Sequence, residues 1–364
     1  MGDVKDRLGA YVIAAGGTGG HVFPGIALAE EIRARRPETQ IIFIGTRKGL
    51  ESKIVPQAGF PLEFVSATGF MGKSLSKRIG ALARLPAGFR GARRLLVQHR
   101  ARAVAGVGGY VSVPVLAAAR SLGIPTLIHE PNAYPGAANR FLNRFASRTT
   151  VGLEEANAGF ARPGVVTGTP VRSQFFSVPP LDPDAATQRV LVFGGSQGSR
   201  VLNRALAKAA PVLAPLGLEV VHQTGEREFA VVQKRYDTIP PGWRLAPFLP
   251  RLWEELAWAD LVVSRAGAMT VAELAAAARP AILVPFAAAA EKHQLANARA
   301  LSNAGAAVTV REEELETNRF AAVVTDLISD RKRLAKMGES ARKLARPQAA
   351  KQIADLLFEA EARG

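Results

Sequence analysis

Two short glycine-rich runs carry the first chemical signal, because each follows an apolar run and precedes a helical pattern. They are Gly-Gly-Thr-Gly-Gly at 16–20 and Gly-Gly-Ser-Gln-Gly at 194–198. Glycine permits positive φ and close backbone approach, and the free N–H groups of a following helix favour a phosphate or another polar ligand. The first run does not fit the dinucleotide fingerprint, since Val22 stands at its last glycine position. The first run is predicted to bind a phosphate or another polar ligand, and the alternative is a tight turn without a ligand.

The second run also matches G-x-S-x-G, the nucleophile elbow of serine hydrolases. Ser196 would then be the nucleophile, and His222 or His293 would serve as the base. A hydrolase of that kind has one sheet and needs no glycine loop in the other half of the chain. A phosphate loop with a serine hydroxyl at a helix start is the other interpretation, and both stay open at this point.

Polar side chains also follow a predicted buried strand at 261–263. Ser264 and Arg265 lie at its carboxyl end, where open sheets bind ligands. Glu273 falls one to two turns into the next predicted helix. A carboxylate there can accept two hydrogen bonds from a ribose diol, or it can be an ordinary solvated helix residue.

A third polar group lies on one predicted helix. His293, Gln294 and Asn297 are close enough in sequence to be neighbours on its surface. Such side chains can recognise sugar hydroxyls, although taken alone a polar helix surface is the favoured explanation. No metal site is predicted, because the pair His129-Glu130 is not followed by the second histidine of H-E-x-x-H.

Alternating strand and helix patterns must position these groups. Predicted buried strands in the first half are Ala10–Ala15, Ile41–Ile44, Leu62–Val65, Ala103–Ala105 and Thr126–Ile128. The pattern restarts with Arg189–Phe193, Leu218–Val221, Leu261–Val263, Ala281–Val284 and Ala307–Val310. Strands that alternate with helices predict an α/β fold of two doubly wound parallel sheets, each opening with a glycine loop. A hinge is predicted near 168–172, with one or two closing helices after Arg331.

The chain has 364 residues, of which 48% are hydrophobic, and it contains no cysteine. This length predicts about two domains with sizeable cores, and the lack of cysteine excludes disulfides and thiolate metal sites. The start of the chain does not fit a secretory signal. The longest uncharged stretch, 103–119, contains several glycines and a proline, so it predicts a strand, a turn and a helix start, and no membrane span is predicted.

Lysine and arginine total 47 while aspartate and glutamate total 31, which gives a net charge of +16. Such a surplus indicates an anionic partner: nucleic acid, an acidic membrane surface or a phosphorylated ligand. The positive charge is concentrated in the first half, because no acidic residue lies between Glu63 and Glu130.

Within that window, residues 73–85 are predicted to form an amphipathic helix that Pro86 ends. At about 100° per residue, its apolar and basic side chains fall on opposite faces. The apolar face holds Leu75, Ile79, Leu82 and Leu85, and the basic face holds Lys73, Lys77 and Arg84. Apolar groups flanked by cations suit an interfacial helix on anionic lipid, and the alternative is a core helix with a solvated basic face.

Seven motifs then occur in an order typical of one family. They are Gly-Gly-Thr-Gly-Gly-His (16–21), Gly-Val-Gly-Gly-Tyr-Val-Ser (106–112), His-Glu-Pro-Asn (129–132), Gly-Thr-Pro-Val-Arg (168–172), Gly-Gly-Ser-Gln-Gly (194–198), Ser-Arg-Ala-Gly-Ala-Met-Thr-Val-Ala-Glu (264–273) and His-Gln-Leu-Ala-Asn-Ala (293–298). Together they closely resemble the MurG family of N-acetylglucosaminyltransferases, which convert lipid I to lipid II in bacterial peptidoglycan synthesis. The resemblance covers nearly the whole chain; the alanine-rich segment 287–292 departs from it at the sugar-side loop.

The resemblance implies the GT-B fold, in which two Rossmann-like, doubly wound domains face a cleft. Residues 1–167 would form the acceptor- and membrane-facing domain, with a C-terminal helix at about 345–364 packed back on it. Residues 168–344 would form the domain that binds UDP-GlcNAc.

Each matching residue also receives an implied role. In the first domain, Thr18, Gly19 and Gly20 lie near the sugar nucleotide, and Asn132 contacts the donor. In the second, Arg172 follows the hinge, Ser196 lies near the diphosphate and Leu249 contacts uracil through its backbone. The helix start beneath the diphosphate and ribose comprises Ala268, Met269, Thr270, Val271, Ala272 and Glu273, and Arg265 at the preceding strand end is a further candidate contact from its position. Glu273 would bind the ribose, and Gln294, with Asn297 beside it, would recognise the GlcNAc hydroxyls.

The implied reaction is an inverting transfer of GlcNAc from UDP-GlcNAc to the C4 hydroxyl of MurNAc in lipid I, which gives a β(1→4) linkage. No metal or other cofactor is expected, so helix N-termini, Ser196 and arginine would stabilise the leaving UDP. His21 is the candidate base, or it only positions the first glycine loop, and Glu130 is a second candidate.

The expected partners are UDP-GlcNAc, lipid I and the anionic membrane at the cytoplasmic face of the bacterial inner membrane, together with proteins of cell division or elongation. A nucleic-acid partner is not expected, because no recognised nucleic-acid module is present. A serine hydrolase and a non-hydrolysing UDP-GlcNAc epimerase, which shares the two-domain fold, stay open as alternatives.

Overall fold

The computed structural model describes residues 9–17, 19–47, 49–67, 75–236, 238–286, 292–316 and 318–363, and for 75–85, 292 and 316 only the backbone is described. The chain divides into two compact units. The first comprises Met1–Val171 with Arg346–Gly364, and the second comprises Arg172–Ala345.

The first unit is built on a parallel sheet. Its described strands are β1 Ala10–Ala14, β2 Gln40–Gly45, β3 Leu62–Phe64, β4 Ala103–Gly106, β5 Thr126–Glu130, β6 Arg148–Val151 and β7 Val165–Val166. They lie in the order β3-β2-β1-β4-β5-β6-β7. Its described helices are α1 Gly19–Arg35, α2 Glu51–Gln57, α3 Leu75–Gln98, α4 Ser112–Ser121, α5 Ala137–Leu142 and the last helix of the chain, α13 Ala349–Ala362, with a 3₁₀ turn at Glu154–Gly159.

The central strands are apolar on both faces because helices cover both sides of the sheet. Every residue of β1 is buried, and Tyr11 pairs in register with Ile41 of β2 and Ala103 of β4. One face packs against α1 and α13, and the other packs against α3 and α4. The sheet is thereby fixed from both sides, and the loops at its carboxyl edge are held in place.

The second unit repeats this plan. Its described strands are β8 Arg189–Phe193, β9 Glu219–Gln223, β10 Trp243–Ala246, β11 Leu261–Ser264, β12 Ala281–Leu283 and β13 Ala307–Thr309, in the order β10-β9-β8-β11-β12-β13. Its described helices are α6 Arg200–Leu213, α7 Phe229–Arg235, α8 Leu252–Trp258, α9 Ala268–Ala276, α10 Lys292–Asn303, α11 Arg319–Ser329 and α12 Arg331–Leu344, with 3₁₀ turns at Ser173–Phe175, Ala214–Leu216 and Glu312–Glu316.

In both sheets the strand order reverses beside the first strand of the unit. The reversal lies between β1 and β4 in the first unit and between β8 and β11 in the second. Open α/β sheets bind ligands in the crevice outside the carboxyl ends of the strands at such a switch point. Both glycine loops follow the strand at the reversal, so the fold places them where ligands bind.

The predicted strands are all confirmed to within two residues, and three further strands were not predicted. These are β6 and β10, which are short and contain polar residues, and β7, which has only two residues. The prediction that Pro86 ends a helix is wrong, because α3 runs through it from Leu75 to Gln98. Proline removes one helical hydrogen bond, but beyond it Ala92 and Leu96 are buried against Leu116, and this packing maintains the helix.

The C-terminal helix is tied to the first unit by a cluster of charged groups around Glu361. Its carboxylate accepts hydrogen bonds from the Tyr11 hydroxyl and from Arg36, whose Nη1 lies 2.8 Å from Oε2, and it pairs with Arg102. Burial alone would raise the pKa of Glu361, but the Tyr11 hydrogen bond and the two guanidinium groups outweigh it and lower that pKa. The ionised carboxylate is therefore favoured in the folded state.

We expect Glu361→Gln to lower the free energy of unfolding by about 1–3 kcal/mol at pH 7. A lowered folded-state pKa stabilises the fold above the unfolded pKa, and this contribution is lost as the pH falls through the folded value. The difference between variant and wild type should therefore shrink towards pH 3, as followed by urea unfolding. Glu359→Gln, on the same helix but half exposed, is the matched control. An equal loss at both pH values would contradict an electrostatic origin.

Candidate active site

Two glycine loops meet at the switch point of the first unit. The loop after β1 contains Gly17 at φ +98°, and the loop after β4 contains Gly108 at +105° and Gly109 at +80°. A Cβ at Gly109 would lie 2.2 Å from the carbonyl oxygen of Gly16, so only glycine lets the two loops approach this closely. Thr18, predicted to contact the donor, lies outside the described residues, while Gly19 and Gly20 begin α1.

His21 lies in the first turn of α1, directly after the first glycine loop. Its side chain is half-buried, and its ring rests on the second loop, since a Cβ at Gly108 would lie 2.3 Å from Nδ1. Any side chain at position 108 would displace the imidazole. The two loops therefore hold the candidate base at the carboxyl edge of the sheet.

A second histidine, His129 at the end of β5, is completely buried near His21. The Thr150 hydroxyl lies 3.0 Å from Nδ1 and 3.2 Å from the carbonyl oxygen of Ile128. Since Thr150 donates its one proton to that carbonyl, it accepts the Nδ1 proton of His129, which assigns the Nδ1–H tautomer. Burial, with the His21 charge as a second cause, lowers the pKa of His129 to about 3, so this imidazole is neutral at physiological pH.

Glu130 anchors the turn that follows β5. Its side chain is buried, and Oε1 accepts hydrogen bonds from the backbone N–H (3.0 Å) and the side-chain amide (2.9 Å) of Asn132. Its Oε2 accepts from the Gly136 N–H and the Asn139 amide, both at 3.0 Å. These contacts occupy both carboxylate oxygens and orient Asn132, so the geometry favours His21 over Glu130 as the base.

In the second unit, the loop after β8 leads into α6. Gly195 and Gly198 adopt positive φ, and the Ser199 hydroxyl caps the helix by accepting the Leu202 N–H. Ser196 is exposed on this loop, beside the N-terminus of a helix of 14 residues. This arrangement can bind the negative charge of a phosphate.

The same loop does not support a nucleophile elbow, which strains the backbone at the serine. Among the described residues other than glycine, only Arg100 and Ala278 have positive φ, so Ser196 is unstrained. His222 cannot serve it as a base. Its ring is buried, its two nitrogens face Asn203 (3.0 Å) and Tyr236 (3.2 Å), and burial lowers its pKa to about 4.

Arg265 lies at the end of β11 and is buried. Its Nε donates to the Ser199 hydroxyl at 3.0 Å and its Nη1 to the carbonyl oxygen of Val284 at 3.2 Å, while Nη1 also pairs with Glu312 at 2.5 Å. The guanidinium therefore joins the loops after four strands of the second sheet. It was predicted as a ligand contact, and in the structure it supports the helix cap and places positive charge beside the start of α6.

Helix α9 begins directly after Gly267, which has extended backbone and no capping side chain. Glu273 lies in its second turn and is only 7% exposed. Burial raises the pKa of Glu273 to about 7, although the nearby Arg172 opposes this shift. Residues 268–272 and Glu273 therefore lie on one helix, as predicted. The alternative prediction, that Glu273 is an ordinary solvated helix residue, is wrong because the side chain is buried.

The remaining predicted contacts flank this helix. The Gln294 Oε1 accepts the Phe286 N–H at 3.1 Å, and the Asn297 amide donates to the Ala266 carbonyl oxygen at 3.1 Å. Both residues lie on α10, as predicted, and tie it to the loops after β11 and β12. Leu249 is buried in the segment after β10, and Arg172 stacks on Trp253 with 4.6 Å from Cζ to the ring centroid.

Several residues that organise the site were not predicted, because no sequence motif marks them. They are Glu51, Asn139, Thr150, Ser199 and Glu312. Ser199 could have been found as the polar residue before an apolar helical pattern, a normal cap signal. Glu51, Thr150 and Glu312 bind partners in distant segments, and Asn139 binds His129 and Glu130 at a spacing that marks no motif.

Within the described part of the chain, no group of His, Asp and Glu is arranged to hold a metal ion. The helices described there include none that is long and apolar enough to cross a membrane. For the predicted membrane-binding segment, the backbone from Leu75 onward is helical. Lys73 and the side chains of Leu75, Lys77, Ile79, Leu82, Arg84 and Leu85 lie outside the described residues, so the amphipathic face stays a prediction.

Two parallel sheets, each with a glycine loop at its switch point, define a two-domain α/β protein of the GT-B class. The glycosyltransferase family 28 N-terminal domain matches residues 11–151, and the C-terminal domain of that family matches residues 189–353. The chain is therefore a glycosyltransferase, and its fold is the one that the sequence motifs implied.

Curated relatives define the family more closely. A protein of Pelobacter propionicus is 42% identical over 94% of this chain and 97% of its own length. A protein of Myxococcus xanthus is 43% identical over 95% of this chain and 91% of its own length. Both are named UDP-N-acetylglucosamine–N-acetylmuramyl-(pentapeptide) pyrophosphoryl-undecaprenol N-acetylglucosamine transferase.

Among solved structures, MurG of Acinetobacter baumannii superposes with a TM-score of 0.78 at 31% identity, covering 96% of this chain and 99% of that one. The chain belongs to the MurG family of N-acetylglucosamine transferases. The family resemblance of the seven motifs is thereby confirmed.

Proposed function

We propose that this chain transfers GlcNAc from UDP-GlcNAc to the C4 hydroxyl of the MurNAc residue of lipid I, the undecaprenyl-diphosphate-linked pentapeptide, and so forms lipid II. The observation that carries the proposal is the pair of switch-point glycine loops in a chain that is 42% identical to a transferase of this name over nearly its full length. The hydrolase and epimerase alternatives have no such support.

The second unit binds the donor in this proposal. The diphosphate lies at the N-termini of α6 and α9, where Ser196 and the helix dipoles stabilise its charge. Glu273 accepts the two ribose hydroxyls with Arg172 near it, Leu249 contacts uracil through its backbone, and Gln294 with Asn297 recognises the sugar. The burial of Glu273 and the connection of α10 to the neighbouring loops support these assignments.

The first unit binds the acceptor and faces the membrane. The C4 oxygen of MurNAc attacks C1 of GlcNAc on the face opposite the leaving UDP. As the new C1–O4 bond forms, the bond from C1 to the β-phosphate oxygen breaks and its electron pair leaves with UDP. His21 takes the proton from O4, so the α-linked sugar becomes β-linked and all atoms balance.

The test is an assay with purified protein, UDP-GlcNAc and lipid I in detergent. The expected product is lipid II with a β(1→4) GlcNAc–MurNAc linkage, together with one UDP for each sugar transferred. Turnover of UDP-GlcNAc without lipid I would favour an epimerase instead. Covalent labelling of Ser196 by a fluorophosphonate would favour a hydrolase.

Because its acceptor is anchored in a bilayer, the enzyme docks on the cytoplasmic face of the inner membrane as a peripheral protein, where proteins of cell division or elongation can reach it. The segment 73–85 supplies the apolar and basic faces for this docking. The absence of acidic residues between Glu63 and Glu130 supports the proposal, because each nearby cation adds roughly 1 kcal/mol of attraction to anionic lipid.

We expect the purified protein to sediment with anionic liposomes and to be released at high salt. Changing Leu75 and Ile79 to serine should reduce binding, because the apolar face supplies the insertion energy, while UDP affinity stays unchanged. Changing Val212 and Leu216, which are exposed aliphatic residues of the second unit, to serine is the matched control. Equal binding to neutral and anionic vesicles, or unfolding of the Leu75/Ile79 variant, would contradict the docking role.

A further inference from the structure

A buried carboxylate lies beneath the first glycine loop, in a position that no motif indicates. Glu51 is the first residue of α2, and its side chain is completely buried. One oxygen, Oε2, accepts the backbone N–H of Gly17 at 2.9 Å. The other, Oε1, accepts the N–H and the hydroxyl of Thr46 at 2.8 and 2.7 Å. Glu51 thus joins the loop after β1 to the loop after β2.

The space around this carboxylate is made by three glycines, one in the loop after β1 and two between the end of β2 and α2. A Cβ at Gly49 would lie 1.9 Å from Oε2, one at Gly45 would lie 2.6 Å from Cγ, and one at Gly16 would lie 3.0 Å from Oε1. None of these three glycines has positive φ, so their backbone conformation does not require glycine. Glycine is needed at these three positions because a Cβ there would occupy the space of the Glu51 side chain.

A buried carboxylate is costly to keep at this place. Among the described residues, no ion pair involves Glu51, so its charge is stabilised by the three hydrogen bonds to Gly17 and Thr46. An apolar side chain would fill the same space without the desolvation cost of a charge. What an apolar side chain could not do is accept the Gly17 N–H and fix that loop.

The position of the loop determines the position of His21. Gly17 lies two residues before the first residue of α1, and His21 lies in the first turn of that helix with its ring on Gly108. On the other side, Gly109 closes against the Gly16 carbonyl. The loop is therefore held by Glu51 on one side and by the second glycine loop on the other, and a shift of Gly17 would move the imidazole.

We propose that Glu51 is a positioning residue for sugar transfer: by accepting the Gly17 N–H, it fixes the first glycine loop and the start of α1, and thereby holds His21 against the acceptor hydroxyl. The proposal rests on the proposed function, in which His21 is the base. It gives Glu51 no contact with substrate. Misplacement of a reacting group by about 1 Å can cost up to about 10²-fold in rate, so the effect should appear in kcat.

The central variant is Glu51→Gln, which keeps the shape but replaces one acceptor oxygen by a donor group. The amide can no longer accept from both Gly17 and Thr46. We expect kcat to fall by about 10- to 30-fold with the KM for UDP-GlcNAc within about threefold of wild type. The matched control is Thr46→Val, which removes the hydroxyl bond to the same carboxylate but leaves the Gly17 bond, and it should keep kcat within about threefold.

A double-mutant cycle separates positioning from a general structural role. If Glu51 acts through His21, the Glu51→Gln/His21→Ala variant is no slower than His21→Ala alone, because the group to be positioned is gone. Losses that multiply would overturn the proposal. An inactive wild type would instead overturn the proposed function, so the two failures are distinct.

Hydrogen exchange at the Gly17 amide tests the bond without substrate. Exchange should be faster in Glu51→Gln than in wild type and unchanged in Thr46→Val; equal protection in all three would overturn the proposal. Where Glu51→Gln does not fold, Gly17→Ala replaces it, since φ +98° strains alanine while its Cβ meets nothing within 4 Å. The same kcat loss, with the same lack of additivity to His21→Ala, is expected, and full activity of that variant would contradict the proposal.

Discussion

Replacing His21 by alanine is expected to lower kcat by about 10²- to 10⁴-fold while the KM for UDP-GlcNAc changes less than about threefold. The reason is that a general base acts on the acceptor hydroxyl only as the new bond forms, whereas the donor is bound by the second unit. Steady-state kinetics with lipid I and UDP-GlcNAc measure both constants.

His99→Ala is the matched control for this prediction. His99 is also a partly buried histidine of the first unit, but its carbonyl bonds to Ala10 at the opposite end of β1. It should leave kcat unchanged. If His21→Ala keeps the wild-type kcat, His21 has no role in catalysis. If kcat and donor affinity fall by the same factor, His21 positions the glycine loop and does not act as the base.

The sequence predicts the frame of the site well, because strand, glycine loop and helix follow one another without interruption. The strands that lead into the two glycine loops, β1 and β8, are almost entirely apolar, and in a parallel sheet such a run ends at the edge where ligands bind. This local order placed Gly17, His21, Ser196 and Glu273 correctly on their elements. It required no knowledge of which strands pair.

What the sequence does not predict depends on contacts between distant segments. The carboxylate of Glu51 reaches Gly17 across 34 positions, and His129 reaches Thr150 across 21. Neither separation matches a helical or strand period or a known motif spacing, so the sequence does not indicate that these residues are in contact. Glu130 illustrates the converse. Its residue type suits a general base, yet it accepts three hydrogen bonds from the turn that follows it and one from Asn139 of α5, and these make it an anchor.

Pro86 shows the same limit in secondary structure. Taken locally, proline interrupts a helix, since it removes a backbone donor and crowds the preceding turn. In the structure, the residues after Pro86 gain buried contacts with α4 that outweigh this cost. Tertiary packing of this kind cannot be read from a window of neighbouring residues.

Glu273→Gln is expected to weaken UDP-GlcNAc binding by about 10- to 100-fold, because a carboxylate accepts both ribose hydroxyls and an amide accepts with one oxygen only. UDP should be weakened equally, since the ribose is common to both. Calorimetric titration measures the two affinities. The control is Glu255→Gln, another partly buried glutamate of the second unit, which pairs with Arg244 and should bind the donor as wild type does.

The same variant should be more stable than wild type in the absence of donor. Burial raises the pKa of Glu273 to about 7 in the folded protein, from 4.5. The folded state therefore binds more protons than the unfolded state between these values, and its stability falls as the pH rises through 7. Glutamine carries no proton to lose, so Glu273→Gln should gain up to about 3 kcal/mol at pH 8 and almost nothing at pH 4.5.

Donor binding must follow the opposite trend with pH if Glu273 accepts the ribose hydroxyls as a carboxylate. Below pH 7 the side chain is increasingly protonated in the free protein, so wild-type affinity should fall by up to about tenfold per pH unit, while the affinity of Glu273→Gln stays flat. UDP-GlcNAc is the proper probe, because its phosphodiester groups do not titrate near pH 6 as the terminal phosphate of UDP does. Greater stability at pH 8 together with unchanged donor affinity would show that Glu273 is a buried structural carboxylate. A wild-type affinity that depends on pH, together with a variant affinity that does not, would show that the ionised carboxylate of Glu273 contacts the bound nucleotide.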